Sequence, residues 1–208
     1  MKDNPKIVIV DYGMGNLRSI QRALNNCGAE STISNNCDEI LNANKIILPG
    51  VGHFASAMNN MKNQDLISTL NEAVLIKKTP ILGICLGMQI MGKSSEEGNV
   101  DGFGWIDANI KSFEVKDSFK HKVPHIGWNN TSQSNNSPLF RGISETELFY
   151  FVHSYHAIMQ NDSQTIAVTN YSYDFTSAYA KDNIFGVQFH PEKSHDTGLK
   201  LLKNFIEL

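Results

Sequence analysis

The chain has 208 residues, of which 41% are hydrophobic and 19% charged, and its formal net charge at pH 7 is −3. This composition is typical of a soluble globular protein and lacks the broad basic field that nucleic-acid binding requires. No apolar run approaches the roughly 18 residues of a membrane span, and the run at 7–10 is too short for a signal peptide, so we expect one domain over residues 1–208 with no membrane partner.

The first half of the chain alternates short apolar runs with longer amphipathic segments. In chain order the pattern predicts a strand at 6–10, a helix at 16–28, a strand at 45–50, a helix at 64–78, a strand at 80–84 and a helix from Leu86 onward. Asn16 is the candidate N-cap of the first helix, and Gly28 is its stop. Alternating strands and helices predict a mostly parallel sheet with flanking helices, whose site lies at the carboxyl ends of the strands.

The second half has closely spaced strand-like runs, which predict antiparallel additions to the same sheet. These runs lie at 108–113, 148–158, 165–171, 176–180 and 184–190. The polar stretch at 129–138 is the best candidate for a loop, and residues 194–208 are predicted to form a closing helix.

The cysteines are few, odd in number and scattered, at positions 27, 37 and 85. This pattern favours free thiols in a reducing cytoplasm over a disulfide framework. The sequence has neither a CxxC motif nor a Cys/His spacing typical of zinc, so we expect no structural metal and no cofactor.

Cys85 stands out because it lies in "GICLGMQ" (83–89), directly after a predicted strand and before a predicted helix. A nucleophile elbow needs such a turn, and glycine two residues before and after the nucleophile removes a collision of side chains. The dipole of the following helix would favour a thiolate. The alternative is that Cys85 is simply a small buried hydrophobic residue.

A cysteine nucleophile needs a base, and "FGVQFHPEKS" (185–194) offers His190 with Glu192 two residues later. If this segment is extended, both side chains point the same way, and the carboxylate can orient the imidazole. Alone, a His-x-Glu pattern is also typical of a polar strand face. For the oxyanion, the candidates are the N–H of Leu86 and a donor from the glycine turn "LPGVGHF" (48–54), which is otherwise an ordinary turn.

At these spacings, "LPGVG", "GICLGMQ" and "FHPEKS" resemble the class I, triad-type glutamine amidotransferases. Further matching segments, "DYGMGNL" (11–17), "KVPHIGWN" (122–129) and "YFVHSY" (150–155), are similar to the glutaminase subunits of imidazole glycerol phosphate synthases, which act in histidine biosynthesis. The resemblance extends from the first strand to the last helix. It implies a flavodoxin-like amidotransferase fold and hydrolysis of L-glutamine to glutamate and ammonia.

The resemblance also implies a role for each matching residue. Cys85 would attack the side-chain amide of glutamine and form a thioester, His190 would move the proton, and Glu192 would hold the imidazole. The N–H of Leu86 and one from Val51 or Gly52 would form the oxyanion hole. The polar groups of the substrate would be held by Gly52, Gln89, Glu97, Ser154 and Tyr155.

The family implies a partner as well, a barrel-type cyclase/synthase subunit in a heterodimer. Ammonia would pass to it through a channel and react with a phosphorylated ribulosyl intermediate, which yields imidazole glycerol phosphate and an aminoimidazole carboxamide ribotide. The positions that match the docking face or lie near it are Asn16, Trp128, Tyr155 and Lys193.

Three alternatives stay open at the level of sequence. Gly92, His53 and the Asn/Ser-rich stretch at 129–138 depart from the family pattern, which leaves room for a paralogue that supplies ammonia to a surface-sugar amidotransferase. A stand-alone cysteine hydrolase would use the same elbow, but it does not explain Gln89 or the "HSY" segment. A non-catalytic docking module has no need for an intact Cys–His–Glu set.

Overall fold

The computed structural model describes residues 5–117, 119–133 and 137–208. Its strands are β1 (Ile7–Val10), β2 (Ser31–Ser34), β3 (Lys45–Leu48), β4 (Ile81–Ile84), β5 (Ser94–Ser95), β6 (Val100–Asp101), β7 (Ala108–Ser112), β8 (His125–Asn130), β9 (Ser132–Gln133), β10 (Leu148–His153), β11 (Tyr155–Met159), β12 (Thr165–Tyr171), β13 (Tyr173–Lys181) and β14 (Ile184–Val187). Its α-helices are α1 (Leu17–Asn26), α2 (Cys37–Leu41), α3 (Phe54–Asn63), α4 (Leu66–Asn71), α5 (Leu86–Ile90) and α6 (His195–Glu207). A π-helical turn (Glu72–Ile76) extends α4, and 3₁₀ turns cover Pro138–Phe140, Asp162–Gln164 and Pro191–Lys193.

Five parallel strands in the order β2-β1-β3-β4-β14 form one half of the large sheet. This is the strand order of flavodoxin-like folds, with β14 in the fifth place. Successive residues of β1 belong to different hydrophobic clusters, Ile7 and Ile9 to one and Val8 and Val10 to the other. The strands are therefore covered on both faces, and their carboxyl ends are the open edge at which a site can form.

Antiparallel strands extend the sheet beyond β14, as the second half of the sequence predicts. The path continues through β13, β11 and β7, and β12 pairs with β13 as well. The strands β8 and β10 form a separate antiparallel ribbon. The run at 148–158 breaks at Ser154, so that its two parts belong to different sheets.

Five elements of the first half, β2, α2, α3, β5 and β6, were not predicted. The helix after the elbow is much shorter than expected and ends at Ile90. At Gly92 the chain passes close to the carbonyl of Ala108, and a Cβ on Gly92 would lie 2.9 Å from that oxygen. The predicted helix at 64–78 begins at Leu66, and its last turn is π-helical.

The loop predicted at 129–138 is wrong for most of its described residues. Residues 129–130 end β8, residues 132–133 form β9, and Pro138 begins a 3₁₀ turn, while residues 134–136 lie outside the described part of the chain. Tertiary partners override the local preference of asparagine for loops. Asn129 donates to the carbonyl of Asn170, and Asn130 donates to the carbonyl of Glu145. Among the described helices, none has the length and apolar character needed to cross a membrane.

Candidate active site

Cys85 occupies the sharp turn between β4 and α5. Its φ of 55° and ψ of −111° lie in a region that residues other than glycine rarely adopt. A Cβ on Gly83 would lie 2.8 Å from the backbone of Gly87, which is the collision expected for a nucleophile elbow. The residue is 6% exposed and lines a cavity of about 500 Å³, so its sulfur is accessible from that cavity.

His190 lies three residues after the end of β14, the strand that pairs with β4 beside the elbow. Its Nδ1 lies 2.9 Å from Oε1 of Glu192, and both side chains are almost completely buried. The expected reason for this contact was wrong, because Glu192 lies in the 3₁₀ turn Pro191–Lys193 rather than in an extended segment. The hydroxyl of Ser194 donates to the carbonyl of His190 at 2.6 Å and fixes this turn.

The opposite ring nitrogen of His190, Nε2, makes no hydrogen bond of standard geometry to a described residue. His190 and Cys85 nevertheless line the same cavity and interact electrostatically. Burial lowers the pKa of His190, but the charge and proximity of Cys85 together with Glu192 outweigh that effect and raise the pKa to about 10. The imidazole is therefore well suited to take and hold the proton of the thiol.

The two candidate sources of oxyanion donors lie against each other. A Cβ on Gly50 would lie 2.7 Å from the nitrogen of Gly87, and a Cβ on Gly87 would collide with the carbonyl of Leu48. Glycine at both positions therefore lets the elbow touch the turn after β3. The N–H groups of Val51 and Gly52 make no hydrogen bond to a described residue, and Leu86 is the first residue of α5, where a helix leaves its N–H groups without a partner in the helix.

Four predicted substrate-binding side chains line the same cavity as Cys85: Gln89, Glu97, Ser154 and Tyr155. One carboxylate oxygen of Glu97 accepts from the N–H of Phe54 at 2.7 Å, at the start of α3. Gln89 is 4% exposed, and its Nε2 donates both to the carbonyl of Tyr155 and to Oε1 of Gln188, each at 2.9 Å. Gln89 thus has only its oxygen left for a ligand, which makes it a hydrogen-bond acceptor in the cavity.

Sequence reasoning missed Gln188 and His153. Gln188 stands two residues before His190, so the same period-2 rule that selected a partner for His190 also places Gln188 on that side of the chain. His153 lines the cavity, and its Nδ1 lies 2.8 Å from the carbonyl of Tyr155. The described residues contain no group of three or more His, Cys, Asp or Glu side chains arranged to hold a metal ion.

The predicted partner residues lie mostly on one surface. The outward face of the β8–β10 ribbon consists of Ile126, Trp128, Asn130, Leu148, Tyr150 and Val152. Ile126, Trp128 and Leu148 are 59%, 45% and 47% exposed. Trp128 stacks on His195 at 5.0 Å, and Nζ of Lys193 lies 5.6 Å from the ring centre of Tyr150. Asn16 precedes α1, but its side chain does not cap that helix.

The outward face continues to the mouth of the cavity. Val152 belongs to this face and also lines the cavity. Lys193, which is exposed and lies beside the face, lines the cavity as well. A protein that covers the outward face would therefore also cover the entrance to the site.

We expect the buried histidine pair to make the protein sensitive to mild acid. Nδ1 of His153 must donate to the carbonyl of Tyr155, so its Nε2 accepts from Nδ1 of His125 at 3.0 Å, and both rings are neutral. Burial, reinforced by neighbouring histidines, lowers the pKa of His153 to about 3 and that of His125 to about 4.

The unfolded chain takes up protons on these histidines below pH about 6.5, whereas the folded protein does not. The free energy of unfolding should therefore fall as the pH drops from 6.5 to 5, by up to about 1.4 kcal/mol per pH unit for His153 alone. Urea titrations at pH 7, 6 and 5 measure this slope, and His125→Gln should reduce it. A stability that is constant over this range would contradict the neutral pair.

Comparisons with known proteins identify the family of the chain. The sequence profile of the family "Glutamine amidotransferase class-I" matches residues 8–208. The chain is 46% identical over 202 residues to "Imidazole glycerol phosphate synthase subunit HisH 2" of Pseudomonas aeruginosa, covering 97% of this chain and 99% of that protein. It is 48% identical over 201 residues to the protein of the same name from Methanococcus maripaludis, covering 97% and 98%.

Solved structures share the fold at low sequence identity. "Structure of PurLQS from Thermotoga maritima" superposes with a TM-score of 0.74 at 17% identity, covering 98% of both chains. A crystal structure of a glutamine amidotransferase from Thermotoga maritima gives a TM-score of 0.66 at 15% identity, covering 98% of this chain and 97% of that one. With a buried Cys–His–Glu constellation at the expected edge of this fold and a family profile that spans nearly the whole sequence, the chain belongs to the class-I glutamine amidotransferases.

Proposed function

We propose that this protein is the glutaminase subunit of an imidazole glycerol phosphate synthase and hydrolyses L-glutamine through a thioester on Cys85. The observation that carries the proposal is the convergence of Cys85 and His190 on one cavity, with Glu192 bonded to the far side of the imidazole. A nucleophile, its base and an orienting carboxylate are the minimum set for covalent acyl transfer.

The reaction follows from these contacts. His190 takes the proton of the Cys85 thiol at Nε2, and the thiolate attacks the side-chain carbonyl carbon of glutamine. The negative oxygen that forms is stabilised by the N–H of Leu86 and an N–H of Val51 or Gly52. His190 returns the proton to the departing nitrogen, and ammonia leaves a glutamyl thioester. Water, deprotonated by His190, then hydrolyses the thioester, releasing glutamate and restoring the thiol.

The cavity supplies groups that match the two ends of glutamine. Oε1 of Glu97 is not used by the bond to Phe54 and suits the α-ammonium group. The hydroxyl groups of Ser154 and Tyr155 can donate to the α-carboxylate, and Gln89 accepts from an N–H of the substrate. These contacts orient the substrate with its amide toward Cys85.

We place the partner on the outward face of the β8–β10 ribbon. The names of the relatives describe them as synthase subunits. This face also has three exposed apolar side chains, which suit a protein partner: Ile126, Trp128 and Leu148. Free ammonia in water is largely protonated and no longer nucleophilic, so a barrel-type cyclase/synthase subunit that covers the cavity mouth would receive it directly. The heterodimer would act in the cytoplasm, which suits three cysteines that are all free thiols.

The alternative supply of ammonia to a surface-sugar amidotransferase is not favoured. The relatives at 46–48% identity that cover almost the whole chain carry the histidine-pathway name. The test is to incubate the protein with glutamine, with and without the cyclase subunit, and to measure glutamate. Glutamate release that the partner stimulates supports the proposal. Peptide cleavage without glutamine turnover indicates a stand-alone hydrolase, and docking without turnover indicates a non-catalytic module.

Lys193→Ala should weaken docking or coupling without impairing the thiol chemistry. The ammonium group is exposed, lies next to Tyr150 on the outward face and is positioned to meet an acidic residue of a partner. We expect a loss of about 1 kcal/mol or more in binding, about a fivefold weaker Kd, with unchanged alkylation of Cys85.

Lys200→Ala is the matched control. Lys200 of α6 is also exposed, but it lies next to Gly142 and not on the outward face. Each variant is titrated with the cyclase subunit, and glutamate release is measured at each point. The titrations show which of the two lysines contributes to docking. Equal stimulation of the wild type and Lys193→Ala would show that the interface assignment is wrong.

A further inference from the structure

Gln188 is a completely buried polar residue next to the elbow. It follows β14, whose Val187 pairs with Ile84 of β4, and Val187 accepts the backbone N–H of Cys85 at 2.8 Å. The side chain of Gln188 is 0% exposed and does not belong to the lining of the cavity. A buried side-chain amide in this position needs hydrogen-bond partners on both its nitrogen and its oxygen.

The hydrogen bonds fix which way the amide of Gln188 points. The carbonyl of Tyr155 can only accept, so the group of Gln89 that faces it must be the nitrogen. That nitrogen also donates to Gln188 at 2.9 Å, which makes the facing atom of Gln188 its oxygen. The nitrogen of Gln188 therefore faces Sγ of Cys85, at 3.7 Å.

Besides His190, the sulfur has two polar neighbours, and their effects are opposite. The carbonyl of Val152, at 3.9 Å, accepts the S–H of the resting thiol and repels a thiolate. The N–H of Gln188 favours the thiolate, because a donor stabilises an anion. The helix after the elbow, Leu86–Ile90, is little more than one turn, so its dipole contributes little and a side-chain donor carries more of the stabilisation.

We propose that Gln188 donates a hydrogen bond to the nucleophilic sulfur and holds the Cys85 thiolate in place for attack on glutamine. The inference rests on the proposed role of Cys85 as the nucleophile. It also connects the sulfur to the substrate, since Gln89 binds Gln188 with its nitrogen and presents its oxygen to the cavity.

Gln188→Met tests this contact, because methionine has a similar volume and no N–H donor. We measure the pH dependence of alkylation of Cys85 by iodoacetamide, with the modified peptide resolved from those of Cys27 and Cys37 by mass spectrometry. The midpoint should rise by about one pH unit, the size expected for one lost hydrogen bond to a charged group. In glutamine turnover, kcat should fall by about 10-fold while KM changes little, because Gln89 keeps its hydrogen bond to the carbonyl of Tyr155.

Gln188→Glu is the second variant, which keeps the acceptor for Gln89 but replaces the donor with a negative charge. Its midpoint should rise further than that of Gln188→Met. The matched control is Asn204→Leu, which removes a buried amide of α6 that donates to the carbonyls of Leu139 and Arg141 and does not line the cavity. It should lower stability and leave the midpoint of Cys85 unchanged.

Wild-type protein provides a test that does not depend on how the variants fold. With ¹⁵N-labelled glutamine side chains, one Nε2 resonance should shift as Cys85 titrates, and the shift should be absent in Cys85→Ala. Unchanged midpoints in both Gln188 variants, or no titrating Nε2 resonance, would overturn the proposal. Glutamine turnover that survives in Cys85→Ala would instead disprove the nucleophile itself, so the two failures are distinguishable.

Discussion

Cys85→Ala should abolish glutamine hydrolysis, with a loss in kcat of at least about 10⁴-fold. The substitution removes the sulfur that forms the thioester, and alanine offers no other nucleophile at the bottom of the cavity. The complex with the cyclase subunit should still make product from added ammonia, because that chemistry takes place in the partner. Glutamate release and ammonia-dependent synthesis, measured on the same preparation, separate the two activities.

Cys37→Ala is the matched control for this experiment. Cys37 begins α2 as a half-buried free thiol and does not line the cavity, so its loss should leave turnover unchanged. Glutamine hydrolysis by Cys85→Ala at a rate near that of the wild type would disprove the covalent mechanism.

His190→Ala should cost more activity than Glu192→Gln. Loss of the imidazole removes the group that takes the proton from sulfur and returns it to the leaving nitrogen. In Glu192→Gln a side-chain oxygen can still accept from Nδ1 of His190, but the negative charge that stabilises the imidazolium is gone. We expect the loss in kcat for Glu192→Gln to be about 10- to 100-fold smaller than that for His190→Ala.

The pH profile gives a second readout of the same pair. Glu192 contributes to the raised pKa of His190, so Glu192→Gln should move the basic limb of the Cys–His profile to lower pH. Glu207→Gln is the control, because Glu207 is a partly exposed carboxylate that pairs with Arg141 on the surface. If Glu192→Gln proves more damaging than His190→Ala, the roles of base and orienting group have been exchanged.

Short sequence patterns predicted more of the candidate site than of the surrounding fold. The elbow was evident because two glycines around a cysteine, between a strand and a helix, satisfy a steric requirement confined to five residues. The parallel half of the sheet was evident because strands buried on both faces are continuously apolar. Helices α2 and α3 were missed because their polar residues, such as Asn60 and Lys62, obscure the periodicity that packing later exploits.

The sequence by itself predicted the nucleophile and its base, because each prediction depends on neighbours a few residues away, and it indicated the family through short motifs spread along the chain. Only the tertiary structure decided that Gln188 meets the sulfur, that Gln89 turns its oxygen to the cavity, and that Glu97 also holds the start of α3. These contacts join residues 43 to 103 positions apart. They depend on which strands pair and how closely the glycine backbones approach, and no local preference encodes either.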